Sequence, residues 1–373
     1  MKIIGCDFHP SFQQIAMLDT ETGEETHLRL SHSNGEAQRF YESLKGEVVV
    51  GVESSGNMRW FQRLLARLGH KLLIGDATAI HATHTRKQQT DKRDAGQLLK
   101  LLEEKRFPSI WVPSMEEVDL RQLLKHRHTL VQMRTRIKNQ LQHIAMNEGF
   151  QKKRKLWREE GLAFLRTLEL GPWTQRRRDD LLKLLEELNQ QIRELSREAE
   201  TQAEQHPKAQ MLMSHPGVGP ILALATVLTL GDVRRFPTSK QVASYIGLIP
   251  CEASSGMRRW LGSISKQGNS FMRFLLVQAG MVAARKDAEL GRFYQRLAHK
   301  KHHGVAKVAV ARKLLVRLYW MLRTNTRYSE LVVRTQGSPS HPVAKKAKAG
   351  TLSERPASRK KGQQNKQPRK NKP

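Results

Sequence analysis

The sequence predicts an α/β domain over residues 1–112, long basic helices over 113–205, a mainly α domain over 206–330 and a disordered basic tail over 331–373. Three observations lead there. Short apolar stretches with two-residue alternation trade places with helical spacing in the first hundred residues, two later segments repeat apolar residues every seven positions, and Gly/Pro breaks then punctuate apolar helical runs. With 373 residues and 38% hydrophobic content, the chain can bury more than one core.

"KIIGCDFH" and "FQQIAMLD" read as strands, "ETGE" as a turn and "THLRL" as a third strand. "NGEAQRFYESL" follows with Ala37, Phe40 and Leu44 at helical spacing. "EVVVGVE" is a buried strand by its β-branched run, "MRWFQRLLARLG" a helix stopped by Gly69, and "HKLLIGD" a further strand. Three antiparallel strands followed by strands alternating with helices is a ribonuclease-H-like order, a mixed sheet flanked by helices.

That order puts Asp7 at the end of the first strand and Glu53 at the end of the fourth, with Asp91 and Asp94 starting the helix after the fifth. In "TDKRDAGQLLKLL", positions 91, 94, 98 and 102 share a face, so both carboxylates are expected to point at the sheet. Singly, Asp7 reads as a strand-end residue, Glu53 as a helix-entry acid and Asp91 as a first-turn partner of the helix dipole. Jointly they read as a site, because ionised groups facing a packed sheet are costly without a cation, and hard oxygen ligands suit Mg²⁺ or Mn²⁺. Two such ions about 4 Å apart can hold the attacking and leaving oxygens of a phosphodiester.

From Glu116 to Glu148 no Pro or Gly occurs, and Leu123, Leu130, Ile137 and Ile144 recur at heptad spacing. Arg121, Lys125, Arg127, Arg134, Arg136 and Lys138 surround that seam, a density suited to phosphate backbones. Leu181, Leu185, Leu188, Ile192, Leu195 and Ala199 form a second seam. Both segments are expected to form coiled coils; a seam states that helices pair, not whether the partner lies in the same copy.

In the last domain, Pro216-Gly217-Val218-Gly219-Pro220 precedes an apolar helix. Gly217 and Gly219 either make a tight turn or leave backbone N–H groups open to a phosphate, as in a helix-hairpin-helix motif. "ASSGMRR" offers a hydroxyl beside a glycine, with Arg258 and Arg259 to offset charge on a phosphodiester. Nothing local supplies a general base, so the residues alone leave this serine open between a structural and an attacking role.

Lys+Arg number 65 against 35 Asp+Glu, a net charge of +30, and polyanions are the natural partner. The stretch from Val343 to the end holds eleven Lys/Arg and one Glu; without it 54 basic and 34 acidic residues remain, so the folded part is basic too. The two cysteines, Cys6 and Cys251, are far apart and read as small core-type residues. No apolar run is long enough for a membrane span or signal peptide, so a cytoplasmic protein is expected.

Asp7, Glu53 in "GVESSGN" and Asp91 with Asp94 in "TDKRDA" resemble the D-E-D-D tetrad of the RuvC-like domain in a group of bacterial insertion-sequence transposases. That group includes the Piv DNA invertase and is described as bridge-RNA-guided serine recombinases. Many relatives have Thr after the glutamate where this chain has Ser54. "GLIP", "SSG" and "LGSISKQGN" resemble the signature of the family's second, transposase-specific domain, so the resemblance covers residues 1 to about 325. It implies that Ser255 is the nucleophile, with Ser254 its uncertain neighbour, and that the carboxylates bind Mg²⁺ (or Mn²⁺). It further implies donor and target DNA as substrates, a noncoding guide RNA, and a homo-oligomer, dimer or tetramer. The alternatives are a Holliday-junction-type nuclease using water, and a noncatalytic architectural protein.

Overall fold

The structure is a computed structural model and describes residues 1–83, 90–150, 155–254 and 260–331. The N-terminal part runs β1 (Lys2–Phe8), β2 (Phe12–Asp19), β3 (Glu25–Ser31), α1 (Glu36–Ser43), β4 (Val48–Glu53), α2 (Arg59–Arg67), β5 (Lys71–Gly75), α3 (Ala77–His81) and α4 (Asp91–Glu103). Its five strands lie in the order β3-β2-β1-β4-β5. β1 pairs antiparallel with β2 and β2 with β3, while β1–β4 and β4–β5 are parallel. The strands match the apolar runs in the sequence. The short helix α3 was not expected, and its start is fixed by Asp76, whose side chain accepts from the Thr78 and Ala79 N–H groups.

Side-chain alternation gives the sheet two apolar faces. Ile4, Cys6, Ile15 and Val50 pack with Tyr41, Phe61 and Leu65 of α1 and α2. Ile3, Ala16 and Leu18 face Ala95 and Leu99 of α4 on the other side. Two glycines set how closely α4 lies. Gly5 and Gly51 are register partners on β1 and β4. A Cβ on Gly5 would fall 2.3 Å from both the Ala95 oxygen and the Leu99 nitrogen, a helical i,i+4 pair, and one on Gly51 would fall 2.7 Å from Leu102. The absent side chains form the trough that holds α4 against the sheet.

Two long helices follow, α5 (Met115–Asn147) and α7 (Pro172–Gln205), with α6 (Glu159–Thr167) between them. A capping box starts α5: the Ser114 hydroxyl accepts from the Glu117 N–H and the Glu117 carboxylate from the Ser114 N–H. Pro172 opens α7 at a position where a missing N–H costs nothing. The helices run antiparallel within one chain, tied by Arg127 to Ser196 at 2.8 Å, Arg134 to Asn189 at 3.4 Å and Arg177 to Gln140 at 3.0 Å. Ile137, Leu141 and Ile144 of one seam share a buried cluster with Leu181 and Leu185 of the other. The N-terminal turns of α5 belong elsewhere, since Leu124 is buried in the C-terminal core with Leu120 and Leu123 packed beside it.

The remaining elements are α8 (Pro207–Met213), α9 (Pro220–Leu230), α10 (Ser239–Ile246), the strands β6 (Pro250–Glu252) and β7 (Leu261–Ile264), α11 (Ser270–Lys286), α12 (Ala288–Lys300) and α13 (His303–Thr324). From Leu222 to Leu230, α9 is buried on every side and forms the centre of this core. β6 and β7 form a separate antiparallel ribbon. Cys6 is buried, but Cys251 sits exposed on this ribbon, which corrects its reading as a core residue: a two-stranded ribbon has no layer to cover it. The chain is thus a mixed α/β sheet followed by a mostly helical region. Among the described residues, no helix is long and apolar enough to cross a membrane.

Candidate active site

Parallel pairing of β1 with β4 aligns Cys6 with Val52, so Asp7 and Glu53 leave the sheet side by side. The close seat of α4 brings its first turn over the same edge. Thr90 caps that turn by accepting the Arg93 N–H. Asp7 Oδ2 lies 3.1 Å from His9 Nε2, which is also 3.6 Å from Asp91 Oδ1. Ligand atoms of Asp7, His9 and Asp91 all fall within 4.8 Å of one another, close enough to share one ion.

Asp7 is half-buried, and burial raises its carboxyl above the usual carboxylate range. His9 opposes that rise, while the negative charges of Asp91 and Asp94 reinforce it. A group destabilised by burial and by like charges is one that a divalent cation would relieve. Two carboxylate oxygens and an imidazole nitrogen suit Mn²⁺ well and Mg²⁺ acceptably.

The four expected carboxylates are not equivalent. Asp94 is half-buried with Oδ1 screened from solvent, whereas the Asp91 side chain is 50% exposed and reaches Asp7 from the rim. The expectation that both aspartates point into the sheet therefore holds for Asp94 better than for Asp91, because the first turn of α4 overhangs the sheet edge. Glu53 Oε1 lies 3.5 Å from His81 Nε2. Sequence reasoning missed both histidines. His9 was detectable, since residues i and i+2 of an extended strand share a face. His81 was not, because α3 carries too few residues for a periodic signal.

In the helical region, Ser255, Arg258 and Arg259 lie outside the described residues. The ribbon that leads to them is described: Ala253 donates to the Trp260 oxygen at 2.9 Å, and the Ser254 hydroxyl donates to Glu252 Oε1 at 2.8 Å. Gly217 has a positive φ of 89°, and a Cβ there would meet the Ala283 nitrogen at 2.5 Å. This glycine therefore lets the hairpin between α8 and α9 touch α11, while the space beside Gly219 is open. Buried polar groups hold the hairpin. The His215 ring packs 4.2 Å from Tyr328, its Nε2 is 3.4 Å from Arg317, and Arg317 pairs with Asp287 at 3.2 Å. Burial pushes His215 down to about 4, so it is neutral.

The basic residues of α5 divide. Arg121 donates through Nε to the Leu228 oxygen at 3.1 Å and stacks on Trp111. Arg127 and Arg134 tie α5 to α7, and the Lys138 ammonium lies 4.7 Å from the Trp157 ring centre. Lys125 and Arg136 face solvent. The density that suggested a phosphate-binding face thus serves partly to join helices.

Comparison with known proteins matches the same two regions. A DEDD-type IS110 transposase family model covers residues 4–148, and a model described as "Transposase IS116/IS110/IS902 family" covers residues 209–295. The chain belongs to this transposase family. A probable family 20 transposase of Pseudomonas aeruginosa is 26% identical over 335 residues, covering 87% of this chain and 98% of the relative. The transposase for insertion sequence element IS1111A of Coxiella burnetii is 26% identical over 321 residues, 84% of this chain and 87% of the relative. The transposase for IS1328 of Yersinia enterocolitica is 25% identical over 287 residues, 74% and 84% respectively. Within the IS116/IS110/IS902 transposase frame, the first matched region contains Asp7, His9, Glu53, Asp91 and Asp94, and the second contains the hairpin and the ribbon.

Proposed function

We propose that this chain is an insertion-sequence transposase that cuts and rejoins DNA strands at a composite site. Asp7, Glu53, Asp91 and Asp94 hold Mg²⁺ or Mn²⁺, and Ser255 attacks the scissile phosphorus. The observation that carries this reading is the convergence of Asp7, His9 and Asp91 where β1 ends and α4 begins, inside the region matched by the family. The strand order β3-β2-β1-β4-β5 supports a RuvC-like, ribonuclease-H-type domain. A bound divalent ion would supply charge neutralisation at the phosphate. The chain's own groups would orient it: Asp7 from the end of β1, Asp91 from the first turn of α4, and His9 between them. In the chemical step a Ser255 Oγ–P bond forms, a deoxyribose O–P bond breaks, and the serine proton ends on the departing oxygen. The number of phosphodiester linkages is unchanged, which leaves a covalent protein–DNA ester available for rejoining.

Because carboxylates and serine lie in different parts of the chain, the site is composite, and a homo-oligomer can assemble it between subunits. The antiparallel α5–α7 pair supports a coiled-coil arm whose main seam is satisfied within one chain. The charge of +30 supports engagement of DNA, while a noncoding guide RNA rests on the family resemblance alone and the cytoplasm is the expected compartment.

The test uses purified full-length protein with its element's DNA, copurifying RNA and Mg²⁺. Wild type should exchange strands and leave a protease-sensitive protein–DNA adduct. Ser255→Ala should lose both, and Asp7→Asn should lose both while still binding DNA. Strand exchange by Ser255→Ala would instead mean that water is the nucleophile and the protein is a junction-type nuclease.

A further inference from the structure

A cleft of about 570 Å³ opens between α5, α9, α10 and the start of α11. Both roots of the β6/β7 ribbon line it: Tyr245 lies just before β6, and residues 268–271 follow β7. Glycines pin these roots together. Gly268, with φ of 75°, brings its backbone so close to the Tyr245 oxygen that a Cβ would fall 2.1 Å from it, and Gly247 is equally close to the Gln267 oxygen. The cleft is therefore fixed at the foot of the β6/β7 ribbon.

Its walls are rings and its floor is aliphatic. His128 packs 4.7 Å from Phe271 and 5.0 Å from Phe274, with Gln132 within 3.1 Å of its Nε2. Tyr245 is backed by Phe236 at 5.2 Å and by Arg235 at 4.7 Å, yet is 41% exposed. Leu228 forms the floor, and solvent-facing Lys125 marks the rim. A cleft of this size, lined by rings and aliphatic groups with a few hydroxyl, amide and imidazole groups and the Arg121 side chain, fits a planar heteroaromatic ring. A cation at the rim complements the phosphate attached to such a ring. In a net basic protein that combination selects a nucleotide within a strand.

We infer that the cleft receives one unpaired nucleobase of the strand that lies along the β6/β7 ribbon. The inference rests on the transposase reading and deepens it. Base pairing hides a base's faces within the stack, so a base held here marks a strand already opened. Stacking on rings accepts any base, so the cleft senses strand opening rather than sequence. The base can come from DNA or from RNA, which present the same ring.

The test uses the full chain with 20-nucleotide strands carrying one 5-iodouracil, as single-stranded DNA, single-stranded RNA and perfect DNA duplex. Photocrosslinks should map to the peptides containing His128, Tyr245 or Phe271 with a single strand and be absent with the duplex; the more efficient single strand names the source of the base. Tyr245→Ala and His128→Ala should each weaken single-strand binding about fivefold or more. Tyr245→Phe should bind as wild type, and duplex affinity and melting temperature should be unchanged in all three. Crosslinks confined to other peptides, or Ala variants that bind single strands like wild type, would overturn the inference. Failure of the transposase reading looks different: wild type would exchange no strands on element DNA, whatever happens at the cleft.

Discussion

Replacing Gly5 by alanine tests whether the seat of α4 positions the carboxylates proposed to hold the metal. The new methyl would lie 2.3 Å from the Ala95 oxygen and the Leu99 nitrogen, where ordinary contact begins at 3.4 Å, so the helix must retreat by about 1 Å. Both obstacles are backbone atoms bonded into the helix, and neither can rotate aside. Overpacking of this kind costs about 1–3 kcal/mol. Because Asp91 and Asp94 ride on the first turn of α4, the same retreat opens the gap to Asp7, and a misplacement of about 1 Å can cost ~100-fold in rate. Denaturant unfolding should show the stability loss, and strand exchange under Mg²⁺ should fall far more than DNA binding. Gly96→Ala is the control: it lies on the same helix with only His27 Cε1 at 3.9 Å, and should be neutral or stabilising by about 0.5–1 kcal/mol. A Gly5→Ala protein with wild-type stability and activity would refute the described contact between β1 and α4.

Three further outcomes follow from the charges. Burial raises the Asp7 carboxyl, so the metal-free fold loses stability as pH rises from the ordinary carboxylate value through the raised one; Asp7→Asn should unfold later than wild type in EDTA at neutral pH and lose the stabilisation Mg²⁺ gives wild type. His215 is depressed from 6.5 to about 4, so its contribution is complete above pH 6.5 and is lost as pH falls toward 4, up to about 3 kcal/mol; acid unfolding curves of His215→Gln should be flatter across that window. Lys125→Gln with Arg136→Gln should reduce the salt slope of DNA binding by about 2 without changing stability. Arg121→Gln, which strands the Leu228 carbonyl, should instead destabilise the fold by about 1–3 kcal/mol in urea titrations.

The sheet was legible because its strands are bounded by turns and its central pair is β-branched on both faces. α5 and α7 were legible from heptads and from the lack of breakers. Helix α3 and His81 were not, since five residues carry no period. The heptads also could not say that the two seams meet each other, because burial patterns mark a face and not its partner.

The sequence by itself determined the succession of strands and helices in the first hundred residues, the positions of four carboxylates at or near element ends, and the basic character, since local periodicity and charge are properties of neighbours along the chain. Only the tertiary structure decided that His9 bridges Asp7 and Asp91, that Arg121, Arg127, Arg134 and Lys138 have partners inside the protein, and that the ribbon's roots enclose a ring-lined cleft. Each of these depends on how closely segments distant along the chain approach one another, and that distance is set by packing, as the space left by Gly5 and Gly51 sets the depth of α4.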